Sequence, residues 1–273
     1  MTIQQLCSDI KLPEEMTRQV LEFDKSFDYE RVEDCLAGLN ACHTRDEALK
    51  TLKEALGPDE NGARILGCML HCAALAWDRY KALGIGHDIY VDTMKCFTRF
   101  MDEHYAMAGK WAFDRDWWTA RQISLLLFRV GALEYEMITM DGRRAISIHI
   151  PSDAVISDEN CLESYAQAKV FFRTYFPEYG DADYVCHSWL LSPALKKLLP
   201  EQSNIIRFQN RFEITSFDES ALDYLFFVFK VMDGTLETLP ENTSLQRNMK
   251  AFLLDGGKVG SALGRLREED LQA

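Results

Sequence analysis

The stretch Leu133-Glu-Tyr-Glu-Met-Ile-Thr-Met140, Asp141-Gly142, Arg143-Arg-Ala-Ile-Ser-Ile-His-Ile150, closed by Pro151, decides the fold. Its first half alternates: Leu133, Tyr135 and Met137 take one face, Glu134 and Glu136 the other. Its second half alternates as cleanly, with Ile146, Ile148 and Ile150 against Ser147 and His149. Between them Asp141-Gly142 supplies the residue types that tolerate the positive φ of a tight hairpin turn. Pro151 lacks the N–H a ladder needs and ends the second strand.

Working downstream, Ser157 reads as the N-cap of a helix that carries Leu162, Tyr165, Ala166, Ala168, Val170 and Phe171 to about Tyr175. Asp183 to Leu191 reads as a buried strand. Pro193 starts a short helix that ends near Pro200. Ile205 to Ile214 reads as a further strand, Ala221 to Phe229 as a helix, and Ser244 to Leu254 as another helix. The segment Gly256–Gly264 is glycine-rich and reads as a flexible or strand-like tail. A hairpin feeding a β-α-β crossover is the skeleton of a small mixed sheet with helices on its faces.

Working upstream, the periodicity is helical. Pro13 opens a run with Met16, Val20, Leu21 and Phe23. Thr44 with Glu47 matches a capping box for a helix through Leu56. Ala63 to Leu83 is apolar nearly all round up to Trp77, as in the central helix of a bundle. Asp88 opens a helix to about Met107. The fold class is therefore α+β: an all-α domain over residues 1–115, then a mixed α/β domain over 116–273, with the break near Trp111–Trp118.

The 273 residues hold 43 acidic and 30 basic side chains, a net charge of −13. That acidity opposes nucleic-acid binding, which needs a basic footprint, and docking on an anionic membrane. No apolar run approaches the ~20 residues of a membrane-spanning helix. The first residues resemble no export signal, so the expected compartment is the cytoplasm. The eight cysteines, Cys7, Cys35, Cys42, Cys68, Cys72, Cys96, Cys161 and Cys186, are then expected as reduced thiols. Cys68, His71 and Cys72 share a helix face, but a zinc site needs a fourth ligand, and core packing is the expectation. No metal is expected.

Three motifs carry a resemblance: His149-Ile-Pro-Ser152, Cys186-His-Ser-Trp-Leu-Leu191 and Ser203-Asn-Ile-Ile-Arg-Phe-Gln209. With these the chain resembles a bacterial family that joins an N-terminal helical domain named for N-acyltransferases to a GNAT-like C-terminal domain. The likeness is strongest from about Trp117 to Gly264. It implies a GNAT-like fold and transfer of an acyl group from acetyl-CoA or another acyl-CoA to an amine of a small molecule or protein. It implies no tightly bound cofactor.

In such a fold the CoA diphosphate rests on backbone N–H groups at a strand-to-helix turn. Here that turn is Pro151–Ser157, and Ser152, Ala154 and Val155 are its candidate amides. The loop departs from the GNAT pattern Arg/Gln-x-x-Gly-x-Gly/Ala. It has no glycine, and Asp153 and Asp158 place carboxylates where phosphate is to sit. A second glycine pattern, Gly257-x-x-Gly260-x-Ala262 with Lys258, follows a helix and not the central strand. For chemistry, His149 lies near the C-terminal end of its strand, where open α/β sheets place ligands, and suits a general base. Glu134 and Glu136 are alternative bases, and Cys186 or Ser188 are candidate partners for His149 across neighbouring strands. Adjacent Cys186 and His187 point to opposite faces and form no dyad. Arg207, Gln209 and Arg211, if on a regular strand, line one face that suits a carboxylate or phosphate. That face also supports another reading, a non-catalytic GNAT-like module for an anionic small ligand.

Overall fold

In the computed structural model of the chain, every residue is described except Cys42, Met232–Gly234 and Gln272–Ala273. The chain forms two compact units, Met1–Val130 and Gly131–Ala273. The sequence reading of Cys42 as a reduced thiol lies outside the described residues.

The first unit is helical: α1 (Ile3–Asp9), α2 (Glu14–Ser26), α3 (Glu33–Leu39), α4 (Arg45–Leu56), α5 (Ala63–Leu83), α6 (His87–Met94), α7 (Cys96–Ala108) and α8 (Asp116–Ile123), followed by the short strand β1 (Leu127–Val130). The apolar helix α5 is its centre. Leu66, Cys68, Met69, Leu70, Cys72, Ala73, Ala76 and Tyr80 are fully buried along it. It ends where Gly84 turns left-handed at φ 79°. Its cysteines pack as core groups. Burial pushes the Cys68 and Cys72 thiols up to about 12, and His71 stacks on Tyr29 with ring centres 3.9 Å apart.

Two expectations change here. Thr44 forms no capping box, because its hydroxyl turns back to the carbonyls of Gly38 and Ala41. The single helix expected from Asp88 to Met107 is two, separated by a flattened turn at Lys95 with ψ −12°.

Gly62 precedes α5 at φ 71°, and a Cβ built there lies 2.0 Å from the Phe113 carbonyl oxygen. The left-handed conformation alone costs a side-chain-bearing residue about 1–2 kcal/mol, and the clash is with backbone. Gly62→Ala is expected to destabilise the chain by about 2 kcal/mol or more, read as a lower urea midpoint with unchanged slope.

The second unit holds β2 (Leu133–Met140), β3 (Arg143–His149), α9 (Asp158–Tyr175), β4 (Asp183–Ser188), α10 (Leu195–Leu198), α11 (Asn204–Asn210), β5 (Phe212–Asp218), α12 (Ser244–Leu254) and β6 (Ser261–Leu266). These strands lie in the order β2-β3-β4-β6-β5. β2 and β3 are the hairpin, turned at Asp141 (φ 50°) and Gly142 (φ 74°). α9 carries the chain across to β4, which runs parallel to β3. β6 inserts antiparallel between β4 and β5. The mixed sheet expected from the hairpin and crossover is present.

Three elements differ from expectation. Residues 205–214 are not one strand: α11 is a helix, and β5 begins only at Phe212. Leu225–Phe229 is a short π-helical turn. The strand expected through Leu191 stops at Ser188, and Trp189–Leu191 make a 3-10 turn. The glycine-rich tail keeps its strand-like reading and ends as the interior strand β6.

Candidate active site

The hairpin register sets Glu134 opposite His149 and Glu136 opposite Ser147. Residues two apart on a strand share a face, so Glu134, Glu136, Ser147 and His149 line one face. Both glutamates are buried and His149 is half-buried. The Glu136 Oε2 lies 2.9 Å from His149 Nε2. A carboxylate held on an imidazole fixes the ring and stabilises the imidazolium that forms when the ring takes a proton.

β3 and β4 pair as Ala145–Asp183, Ile146–Tyr184 and Ser147–Val185. Partners across a parallel pair share a face. The His149 face therefore continues through Val185 to His187, and Tyr184, Cys186 and Ser188 lie on the face of Ile146 and Ile148. This corrects the pairing of Cys186 or Ser188 with His149: the register puts them on opposite sides of the sheet. Cys186 is fully buried, and its thiol is pushed up to about 12 by burial. The Ser188 hydroxyl accepts the Leu190 N–H at 3.1 Å and caps the following turn. The residue the sequence reading missed is His187. It is exposed and shares the His149 face. Parity within each strand put both histidines opposite their core positions. Only the crossover register shows that these are the same face.

The pairing of β3 with β4 ends at Ser147–Val185. Both strands run on: His149 still pairs with Glu134 of β2, and Ser188 with Ala262 of β6. The two parallel strands therefore part at their C-terminal ends, with His149 on one side of the gap and His187 on the other. Strands that part in this way no longer exchange backbone bonds across the seam, which is the geometry of an open strand edge.

Pro151–Ser157 leads from the gap to the N-terminus of α9. Ser157 caps the helix as expected, its hydroxyl accepting the Asn160 N–H at 3.2 Å. The Ala154 N–H is spent in a turn on the Pro151 carbonyl at 2.9 Å, which removes it from the candidate amides. Among the described residues no protein acceptor meets the N–H groups of Val155, Ile156, Ser157, Asp158 and Glu159. Asp158 is not a bare carboxylate. Arg211 reaches it at 2.7 Å and Arg207 at 3.3 Å. The hydrogen bond from Arg211, with both guanidinium charges, holds its carboxyl below the usual carboxylate range. The stability this tie contributes is present above that range and is lost as pH falls through the depressed value.

The proposed face of Arg207, Gln209 and Arg211 does not exist, because the three sit on a helix and its C-cap. Gln209 is buried and donates to the Ser192 carbonyl at 2.6 Å. Arg211 bonds both Asp158 and Asp270. Arg207 remains half-exposed beside the start of α9. The reading as a binding module with a three-residue anion face loses its basis. Gly256–Gly264 is the path from α12 into β6. The Ser192 hydroxyl bonds the Val259 carbonyl there, and the glycine pattern runs into the strand β6 and not into a helix N-terminus.

Residues 1–125 match the model of the N-acyltransferase N-terminal domain, and residues 127–266 match that of the GNAT-like C-terminal domain. No curated protein matches the chain. A crystal structure of an acyltransferase in complex with decanoyl-CoA and teicoplanin is similar at TM-score 0.81 and 22% identity, over 97% of this chain and 87% of that one. A mutant acyltransferase in complex with octanoyl-CoA gives 0.80 and 22%, over 97% and 87%. An acyltransferase in complex with CoA and 10C-teicoplanin gives 0.71 and 22%, over 98% and 99%. At that identity the likeness is one of fold. With both of its halves matched in order, the chain belongs to the family that joins an N-acyltransferase N-terminal domain to a GNAT-like C-terminal domain.

Proposed function

We propose that the chain is a GNAT-type N-acyltransferase that moves an acyl group from acyl-CoA to the amine of a small molecule. The observation that carries this reading is the parting of β3 and β4. The pantetheine arm of CoA is an extended chain with two amides, and it fits between strands as an added strand does. The acyl-CoA-bound acyltransferases of similar fold support the same occupant. The diphosphate then falls at the N-terminus of α9, where unpaired amides and the helix dipole favour an anion. Ser152 and Val155 belong to the loop that meets it. Arg207 supplies the cation that the glycine-free loop lacks, and it has to share that charge with Asp158.

The reaction needs a neutral amine. Its nitrogen attacks the thioester carbonyl carbon, a C–N bond forms, the C–S bond breaks, and the amine proton leaves. His149, oriented by Glu136, takes that proton, with Glu134 opposite it on the same face. The CoA sulfur leaves as thiolate and is reprotonated. His187 flanks the gap from β4 and is a second candidate for contact with the acceptor. Acyl-CoA is here a cosubstrate. A bacterial, cytoplasmic setting belongs to the same proposal, because acyl-CoA is made and used in the cytoplasm.

Calorimetric titration with acetyl-, octanoyl- and decanoyl-CoA tests the reading. Saturable binding of at least one acyl-CoA is expected, with free CoA released when an amine acceptor is added. A folded chain that binds none of the three up to millimolar concentration overturns it.

A further inference from the structure

A separate cavity lies at the other end of the sheet. It has a volume of about 290 Å³ and is bounded by the last turns of α9, the first residues of β4 and the end of β6. Lys169, Arg173, Asp183, Tyr184, Arg265 and Glu268 are among its walls. β4 enters the sheet here, whereas the gap from β3 opens at its far end, so this cavity is no part of the acyl-CoA groove.

Its donors are unequally used. Arg173 is answered by Asp181 at 2.9 Å and by the Gly180 carbonyl at 3.2 Å. Arg265 is answered by Asp183. Lys169 bonds only the Leu271 carbonyl, at 3.1 Å. Its ammonium has three N–H donors, and among the described residues it meets no carboxylate. Tyr184 is 2% exposed, yet its hydroxyl has no partner. Its ring is fixed edge-on against Tyr135 and Phe172. Burial pushes the phenol above its usual range, which keeps the O–H as a donor. An unsatisfied buried hydroxyl is costly, and native structures meet such groups with a water or a ligand. The space is on the order of ten water volumes, enough for a small metabolite.

We propose that this cavity is a second ligand site, which takes a small oxyanion, a phosphate or a carboxylate, on Lys169 and the Tyr184 hydroxyl. Asp181 and Asp183 do not oppose this, since each is already neutralised by a guanidinium. Glu268 is the remaining acid of the wall and limits the site to ligands of modest charge.

The test is calorimetry on the full chain with inorganic phosphate and, separately, with succinate. Saturable binding of one or both is expected, and which one binds assigns the ligand chemistry. Tyr184→Phe keeps the ring packing and Lys169→Gln keeps the stem. Each is expected to weaken binding by about tenfold, the equivalent of about 1.4 kcal/mol. Binding is expected to persist in Arg207→Ala and in the presence of saturating decanoyl-CoA, or of CoA should no acyl-CoA bind. Three results overturn the proposal: neither anion binds at tens of millimolar, both variants bind like the parent, or CoA displaces the anion. The first two leave open whether acyl-CoA occupies the groove, and the third is read apart from it by the acyl-CoA titration of the parent, so the two readings fail separately.

Discussion

Replacing His149 by alanine is expected to lower kcat/KM for acyl transfer by about 10²–10⁴-fold, the usual contribution of a positioned general base. The expectation rests on three features. His149 lies where β3 leaves its parallel partner, so it borders the C-terminal part of the β3–β4 seam that backbone pairing leaves open. Its ring is held at 2.9 Å by Glu136. It also stands directly opposite Glu134, so one strand face concentrates the groups able to move a proton. A base acts on the acceptor amine and not on the CoA moiety. The loss should therefore fall on kcat, with the calorimetric Kd for acyl-CoA within about threefold of the parent; as 1.4 kcal/mol is tenfold, that is a difference well under 1 kcal/mol. Glu136→Gln keeps a hydrogen-bonding group against the ring but removes the charge that stabilises the imidazolium, so a smaller loss is expected, again in kcat. If His149→Ala raises the acyl-CoA Kd tenfold and leaves kcat unchanged, His149 is a binding group, and the base must be sought at Glu134 or His187.

The hairpin and the helix cap that frame this candidate site are legible in the sequence. The alternation about Asp141-Gly142 gives the hairpin and its faces, because period two with a two-residue turn admits one register in which both apolar sets fall on the same side. Ser157 announced α9 for an equally local reason, a hydroxyl that satisfies a first-turn amide. The misreadings were those in which a local pattern fits two structures. In Ile205–Phe212 the apolar positions are compatible with a strand, but Ser203 is an N-cap whose hydroxyl accepts the Ile206 N–H, and the segment winds into α11. Gly264 lies in the stretch expected as flexible or strand-like, and composition does not choose between the two. In β6 it is a place of close approach, where an added Cβ would meet Leu191 and Phe212 side chains at 3.0 Å. The relation of His149 to His187 was hidden for a different reason. It depends on how α9 sets the register of two strands far apart in sequence, and no local pattern encodes that offset. The pairing of Asp158 is hidden in the same way. A carboxylate at a helix N-terminus opposes phosphate only while it is alone, and the two arginines that meet it come from α11, about fifty residues on.

The largest expected effect on stability is that of Phe172→Ala, a loss of about 3–5 kcal/mol, as found for aromatic truncations in well-packed cores. Phe172 is fully buried on α9. Its ring meets Tyr135 of β2 at 6.4 Å and Tyr184 of β4 at 6.4 Å, both edge to face. It therefore ties the crossover helix to two strands that are not neighbours, and β3 lies between them. Its neighbours Tyr135 and Tyr184 are themselves large and buried, so they cannot close the space without leaving their own contacts, and the cavity term adds to the lost transfer energy. A loss of this size corresponds to a fall in Tm on the order of 10 °C for a chain of this length, and in urea to a lower midpoint with an unchanged slope. Phe172→Leu retains most of the volume and is expected to lose much less. The catalytic groups provide the control. Glu134, Glu136 and His149 lie on the opposite face of the sheet from Tyr135 and Tyr184. Phe172→Ala should therefore lower Tm yet retain kcat at temperatures where it stays folded, whereas His149→Ala should lose kcat with little change in Tm. A Phe172→Ala protein with parental Tm would mean that α9 is held mainly by its other contacts, including Phe171 and Tyr165. If it is instead fully folded but inactive, the position of α9, and with it the diphosphate end of the groove, depends on this one ring.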